Sequence, residues 1–134
     1  MSAKRLTKAD IRNASGILNP VGHVVLAFKD DAVTAQAVAA LSATGFAEED
    51  ILAYLAAEAT PRLRERVQSA SQAAGFGYEI TLMRRYLAFA EQGAGWLIVH
   101  APTDEAVNRI TEVATRLEAL CAVRYHRLVT EELI

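Results

Sequence analysis

The sequence predicts a single α+β domain, on three observations. The chain has 134 residues, the usual size of one domain. Hydrophobic residues make up 52% and charged residues 22%, a composition that excludes disordered and low-complexity classes. A strand–helix–strand pattern occurs twice, at an offset of about 73 residues. One domain built from two similar halves is therefore expected.

The first half has a strand, a helix and a second strand. Val21–Lys29 is short and rich in apolar residues, as in a central strand. Asp30 or Asp31 is suited to cap a helix that ends near Thr44-Gly45, where glycine tolerates a left-handed conformation. Ile51–Ala56 is the second predicted strand.

The second half repeats this plan. From Trp96 onward, Leu97–His100 is a strand, Thr103 or Asp104 caps a helix, and Ala122–Thr130 closes as a strand. A duplicated βαβ unit is the ferredoxin-like pattern. We therefore expect a four-stranded antiparallel sheet in the order four-one-three-two, with both of these helices on one face.

A two-helix insertion, residues 60–95, separates strands two and three. Thr60 is read as a helix cap with Pro61 at the first helical position. The second inserted helix, Tyr78–Gln92, carries a wide apolar sector. The strands are apolar on both faces, so we expect the insertion, a partner subunit or both to cover the open face.

Residues 1–20 lack apolar periodicity and are expected to form a mobile arm before the domain at 21–134. No secretory signal or membrane span is evident, so a cytoplasmic protein is expected. The net charge of −2 and the absence of an RNA-stacking motif argue against nucleic-acid binding. The arginines of the insertion could hold an anion, but Arg62 and Arg66 share a helix face apart from Arg64, so we favour a solvated face.

Little in the sequence supports catalytic or metal chemistry. The single cysteine, Cys121, is expected to be buried and inert. His23 and His100 both face the open side of the sheet by strand alternation. Taking strands one and three as parallel separates these histidines by about four residues at roughly 3.3 Å each. We therefore expect no catalytic residues, no metal site and no cofactor.

If a ligand binds, we expect an anionic or carbonyl-bearing small molecule between the sheet and the insertion. His100 ends strand three beside a helix N-terminus, where an anion is favoured. The candidate ligand-binding residues are His100, Trp96, Tyr54, Arg84, Arg85 and Thr103. The alternative is that Tyr86 and Phe89 fill this space as ordinary core.

One segment resembles a known family. Residues 37–41, Ala-Val-Ala-Ala-Leu, lead into Gly45-Phe46, and Asp50-Ile51 then opens a strand. This is similar to the first βαβ unit of bacterial general-stress, heat-induced proteins, over Val24 to Ala56. The resemblance implies a small cytoplasmic stress-associated domain and carries over no catalytic residues.

The function expected from the sequence is non-enzymatic. We expect a stress-associated or binding domain that acts as a homodimer, with no nucleic-acid and no membrane partner. The alternative is a small ligand sensor or enzyme that uses an open-sheet pocket near His100.

Overall fold

A central antiparallel sheet organises the protein. The computed structural model describes residues 4–13, 18–72 and 77–134, with side chains described outside 70–79. The helices are α1 (Lys8–Asn13), α2 (Asp31–Ala43), α3 (Ala56–Gln72), α4 (Gly77–Glu91) and α5 (Asp104–Arg116). The strands are β1 (His23–Phe28), β2 (Ile51–Tyr54), β3 (Gly95–His100), β4 (Cys121–Tyr125) and β5 (Thr130–Glu132).

The sheet has the order β2-β3-β1-β4-β5, and every neighbouring pair is antiparallel. Its first four strands lie in the predicted order, but the prediction of only four strands is wrong. The predicted strand over Ala122–Thr130 is broken, because the His126 N–H donates to the Val129 carbonyl at 2.9 Å and closes a turn. The chain then returns as β5 alongside β4.

The helices α2 and α5 cover one face of the sheet. Both begin at predicted caps: the Asp30 carboxylate accepts from the Val33 N–H at 2.9 Å, and the Thr103 hydroxyl accepts from the Ala106 N–H at 3.1 Å. This layer packs on alternate residues of the central strands, including Val24, Leu26, Phe28, Leu97 and Val99.

The inserted helices α3 and α4 cover the opposite face. Their buried side chains pack on the other set of strand residues, including Val25, Ala27, Trp96, Ile98 and Val123. The insertion, one of the two expected covers of the open sheet face, therefore does cover it. The apolar sector of α4 is buried by this packing, with Met83 and Tyr86 almost fully enclosed.

Helix α3 begins earlier than predicted. Thr60 is not its cap, and Pro61 lies inside the helix. The Glu58 carboxylate accepts from the Leu55 N–H at 3.0 Å, and the Asp31 carboxylate of α2 accepts from the Ala56 N–H at 2.9 Å. These acceptors satisfy N–H groups at the start of the helix, and they allow it to begin before the proline.

The described part of the N-terminal segment contacts the rest of the domain. Thr7 and Asp10 form reciprocal hydrogen bonds of 2.9 and 3.2 Å at the start of α1, which is a capping box. Ile11 and Leu18 are buried against the α3–α4 side of the sheet. The segment therefore covers one end of that layer.

Candidate functional site

A cavity of about 60 Å³ lies between the sheet and the inserted helices. Its floor is formed by strand residues, and its sides by α1, α3 and α4. The lining residues are Ile11, Leu18, Val25, Tyr54, Ala59, Arg62, Leu63, Arg66, Tyr86, Trp96 and Ile98. Apart from the two arginines and the polar atoms of the aromatic residues, this lining is apolar.

Tyr54 and Trp96 are direct partners across β2 and β3, and both line this cavity. They are 7% and 4% exposed. The Tyr54 hydroxyl and the Trp96 Nε1 are buried and have no hydrogen-bond partner within the described residues. Buried polar groups are nearly always satisfied, so two unsatisfied groups on paired residues mark this as an unusual position.

Tyr86 of α4 also lines the cavity. Its ring meets the Trp96 ring edge-on, with centroids 5.2 Å apart and planes at 69°. Its hydroxyl lies 2.9 Å from the Tyr125 hydroxyl. Tyr86 therefore fills part of this space as core, as the alternative interpretation expected, while a cavity remains beside it.

Arg62 and Arg66 lie one turn apart on α3, and both line the cavity. The Arg66 guanidinium donates to the Ile11 carbonyl at 2.7 Å and so links α3 to α1. Burial lowers the pKa of Arg66, Arg62 lowers it further, and Glu65 opposes both effects. Arg62 is exposed, as the expectation of a solvated face requires, whereas Arg66 is half-buried and departs from it.

Positive charge also surrounds the phenol of Tyr54. Lys8 Nζ lies 4.6 Å from the centre of the Tyr54 ring. Burial raises the pKa of Tyr54, while Arg62 lowers it, Glu58 raises it, and Arg66 and Arg12 lower it. The net direction is upward, so the hydroxyl remains protonated at neutral pH and can donate.

His23 and His100 come together at the end of the same sheet face. The prediction that they lie apart is wrong, because β1 and β3 are antiparallel and His23 pairs directly with His100. Their ring centroids are 5.0 Å apart. His100 Nδ1 lies 3.8 Å from an Asp50 carboxylate oxygen, which also accepts from Arg5 at 3.0 Å.

His23 connects the sheet to the N-terminal segment. Its Nε2 accepts from the Leu6 N–H at 3.1 Å, and its Nδ1 lies 3.0 Å from the Val21 carbonyl. This pattern requires a neutral ring protonated on Nδ1. Burial lowers the pKa of His23 most, the Val21 carbonyl opposes this, His100 lowers the pKa further, and Asp50 opposes it.

The predicted ligand-binding residues are divided among separate places. Tyr54 and Trp96 line the cavity, whereas His100, Thr103, Arg84 and Arg85 are not among its lining residues. The Thr103 hydroxyl caps α5. Arg85 pairs with Glu132 of β5 at 2.6 Å, and Arg84 is exposed on α4.

Among the lining residues, Ile11 and Leu18 were not predicted near any site, and Arg62 and Arg66 were assigned to a solvated face. A local signal for α1 existed, because Thr7 and Asp10 have the spacing of a capping box. The i, i+4 spacing of Arg62 and Arg66 showed a shared face. The sequence did not indicate that this face borders the sheet.

Within the described residues, no group of three or more His, Cys, Asp or Glu side chains is placed to hold a metal ion. Cys121 is buried, as predicted. Burial raises the pKa of its thiol to about 12, against a smaller opposing effect of Arg85. The reactive thiolate is therefore strongly disfavoured at neutral pH.

A second depression, about 240 Å³, lies between α2 and the edge strand β2. Ala35 and Leu55 on its border are exposed, and Tyr54 is the one lining residue that it shares with the cavity. Among the described residues, four have a buried side-chain polar atom without a partner: Tyr54, Trp96, Arg109 and Thr130. We take the cavity as the candidate site because Tyr54 and Trp96 both border it.

The fold and cavity define a class: an α+β domain whose helical insertion encloses an apolar cavity against the sheet. Comparisons with protein-family models, curated proteins and solved structures find no significant match to this chain. Over residues 4–13, 18–72 and 77–134, no helix combines the length and apolar character needed to cross a bilayer.

Proposed function

We propose that this chain is a non-enzymatic binding domain whose small ligand occupies the cavity beside Tyr54 and Trp96. The observation that carries this proposal is the pair of unsatisfied polar atoms on these two cavity-lining residues. Each such group costs about 1–3 kcal/mol when buried without a partner. A ligand in the cavity reaches these atoms only if the two rings shift, and a hydrogen bond to them then recovers part of this free energy.

Trp96 makes the proposal directly measurable, because it is the only tryptophan in the chain. Butyramide is a suitable neutral probe: it has a short apolar tail and a carbonyl acceptor. We expect a saturable change in tryptophan emission and in the indole N–H resonance as butyramide is added. No saturable response to any small apolar probe would overturn the proposal.

A cavity-filling substitution provides the matched test. Ala59 lines the cavity, whereas Ala57 on the same helix is exposed. Ala59→Leu is expected to abolish the butyramide response, and Ala57→Leu to leave it unchanged. Equal responses in the two variants, with both folded by circular dichroism, would show that the probe binds elsewhere.

We also propose that the domain forms a homodimer. The inserted helices cover the sheet face that was expected to need a partner, so this proposal rests on an exposed edge of the sheet. Leu128 and Val129, next to the edge strand β5, are 90% and 64% exposed. An exposed edge strand offers unpaired backbone groups, and two copies can pair antiparallel about a two-fold axis. The second copy of this chain is thus the occupant that we assign to this edge.

Sedimentation tests the homodimer. We expect a species of twice 14.5 kDa at micromolar concentration, converted to monomer by Leu128→Asp. Leu55→Asp is the control, because Leu55 is exposed at the opposite edge of the sheet. A wild-type protein that sediments only as a monomer would contradict the proposal.

We propose a ferredoxin-like domain extended by β5, because β1 to β4 form two βαβ units in the order β2-β3-β1-β4.

We also propose the cytoplasmic, stress-associated role that the family resemblance implies. Measuring the level of the protein before and after heat shock tests that role, and an unchanged level would count against it.

A further inference from the structure

We infer that the outer edge of β2 binds an extended, basic segment of a partner protein. The segment adds to the sheet as an antiparallel strand and places an apolar side chain in the depression between β2 and α2. This edge lies at the opposite end of the sheet from β5. Three features support strand addition here: the open backbone of Ala53, the depression beside it and the acidic surroundings.

The register of the sheet shows which backbone groups of β2 bond to β3. The Ala101 N–H donates to the Gly22 carbonyl at 2.9 Å, so Ala101 and every second residue before it bond to β1. Ile98, which lies between those residues, bonds to β2 instead, and its partner there is Leu52. The two neighbours of Leu52 on β2 therefore direct their backbone N–H and carbonyl groups to the outer edge.

Ala53 is open at this edge on both backbone groups. The Ile51 N–H is used by the Glu48 carbonyl, and the Leu55 N–H donates to Glu58 at 3.0 Å. Among the described residues, no hydrogen bond reaches the Ala53 backbone from the outer side. The strand, Ile-Leu-Ala-Tyr, also carries none of the charges or prolines that usually protect an edge. An antiparallel strand could exchange both of its bonds with Ala53.

The depression beside α2 is placed to hold a side chain of the added strand. Opposite residues of an antiparallel pair point to the same face, and Ala53 lines the depression together with Ala35 and Val38 of α2. Its volume of about 240 Å³ is several times the roughly 30 Å³ of one water in the liquid. Residues 32–43 of α2 carry no charge, and Asp31 on the border is already bonded to α3. An apolar side chain is therefore favoured opposite Ala53.

The surroundings of β2 are acidic, because residues 30–61 contain no Lys or Arg. Their acidic residues are Asp30, Asp31, Glu48, Glu49, Asp50 and Glu58. From outside this range, Arg5 pairs with Asp50 at 3.0 Å, and Arg62 lies one turn after Glu58 on α3. The negative charge of this unit is therefore only partly compensated.

Glu48 and Glu49 are the acidic groups that a partner can reach most directly. Both are exposed immediately before β2, and neither forms an ion pair with another described residue. Basic residues at the ends of the added strand would be attracted to them. A second copy of this chain at β2 would instead bring two acidic units together, so charge favours a basic partner over self-association at this edge.

The probe is the peptide acetyl-Lys-Lys-Val-Thr-Val-Thr-Lys-Lys-amide. Its valines share one face, and threonine separates them because Lys8 and Arg62 lie on the other side of the sheet. We expect the peptide to shift the Ala53 amide resonance of isotope-labelled protein saturably. N-methylation of both valines keeps the charges and side chains but removes the backbone donors, and should weaken binding roughly tenfold.

Ala35→Arg tests the depression, with Gln36→Arg as the matched control. The new arginine at the first position would fill the depression and repel the basic peptide. Gln36 is exposed on the same helix and does not line the depression. We expect Ala35→Arg to abolish the Ala53 response and Gln36→Arg to weaken it at most about twofold. Both positions are exposed and arginine is a good helix former, so both variants should fold.

The charge preference is tested on both molecules. Acetyl-Glu-Glu-Val-Thr-Val-Thr-Glu-Glu-amide should leave the Ala53 resonance unchanged. The double change Glu48→Gln and Glu49→Gln should weaken binding of the lysine peptide about threefold to tenfold. The double change Glu112→Gln and Glu118→Gln removes the same charge from exposed positions in and after α5, and should have a smaller effect.

Several results would overturn this proposal. They are no response of Ala53 to the lysine peptide, equal binding of the N-methylated or the glutamate peptide, and equal responses from Ala35→Arg and Gln36→Arg. Conversion of a dimer to monomer by Ala35→Arg, and not by Leu128→Asp, would show that a second copy occupies this edge. The Trp96 titration tests the cavity separately, so either proposal can fail while the other stands.

Discussion

His23 and His100 lie directly opposite each other on β1 and β3, with ring centroids 5.0 Å apart. A proton on His23 would add positive charge beside the His100 ring, near the Asp50 carboxylate that Arg5 already contacts. The neutral form of His23 also holds the Leu6 N–H. Acidification therefore acts on the contact between the sheet and the N-terminal segment.

The stability of the protein should fall in mild acid. Burial holds the pKa of His23 below its ordinary value of 6.5, so the unfolded chain binds this proton more tightly than the folded one. Neutral His23 therefore contributes to the free energy of unfolding above about pH 6.5. This contribution is lost as the pH falls from there through the lower pKa that His23 has in the folded protein. Urea unfolding from pH 5 to pH 8 measures this dependence.

His23→Gln should flatten this pH dependence, because glutamine does not titrate. His126→Gln is the control: its partly exposed ring pairs with Glu131 at the β5 hairpin, away from the N-terminal segment. If wild type and His23→Gln lose stability equally below pH 6.5, another group is responsible.

Tyr54→Phe should distinguish a binding site from ordinary core. The hydroxyl has no partner within the described residues, so its removal should leave the free energy of unfolding unchanged or raise it by about 1 kcal/mol. The same change should weaken butyramide binding. Chemical denaturation and the Trp96 titration measure these effects, and a loss of stability above about 2 kcal/mol would indicate a partner for the hydroxyl.

The buried pair Tyr86 and Tyr125 should show strong coupling. Tyr125→Phe leaves the Tyr86 hydroxyl without its 2.9 Å partner and should lower the free energy of unfolding by about 1–3 kcal/mol. The double change to Phe should be less destabilising than the sum of the single changes. A double-mutant cycle by urea unfolding measures the coupling, and strict additivity would contradict it.

Gly95→Ala should destabilise the domain by about 1–3 kcal/mol. A Cβ at Gly95 would collide with the Thr34 side chain and come within 2.9 Å of the Asp31 carboxylate. Thr34→Ala removes the nearest atom, so Gly95→Ala should be less harmful in that background. Thermal unfolding of the single and double variants tests this, and equal losses in both backgrounds would exclude the steric explanation.

Cys121 should resist thiol reagents in the native state. The Cys121 residue is 1% exposed, and burial raises the pKa of its thiol to about 12. Little accessible thiolate is therefore present at pH 8. Labelling with a chromogenic disulfide should proceed at the rate of unfolding and become fast in urea. Rapid labelling of the folded protein would contradict the burial of this strand.

Much of the fold follows from local sequence. The caps Asp30 and Thr103 were each one of two adjacent candidates, because a cap bonds to a backbone group only three residues away. The alternating residues of β1 were assigned to their two faces because strand geometry has a period of two. These features depend on neighbours in the chain, which the sequence displays directly.

The candidate site was only half predicted, because it also depends on residues that are distant in the sequence. Tyr54 and Trp96 were named from the strands that carry them, whereas the cavity also needs Ile11 and Arg66, which are 55 residues apart and joined by a hydrogen bond. The pairing of His23 with His100 was missed because the direction of neighbouring strands was misjudged.

The sequence by itself determined the two strand–helix–strand halves, the inserted helices and the burial of Cys121. Only the tertiary structure decided the start of α3, which Asp31 supports from another helix, and the turn that separates β5 from β4. It also decided which face of α3 borders the cavity. Periodicity and capping are local interactions, while register, strand direction and helix-to-helix contacts arise when distant segments exclude water from a common core.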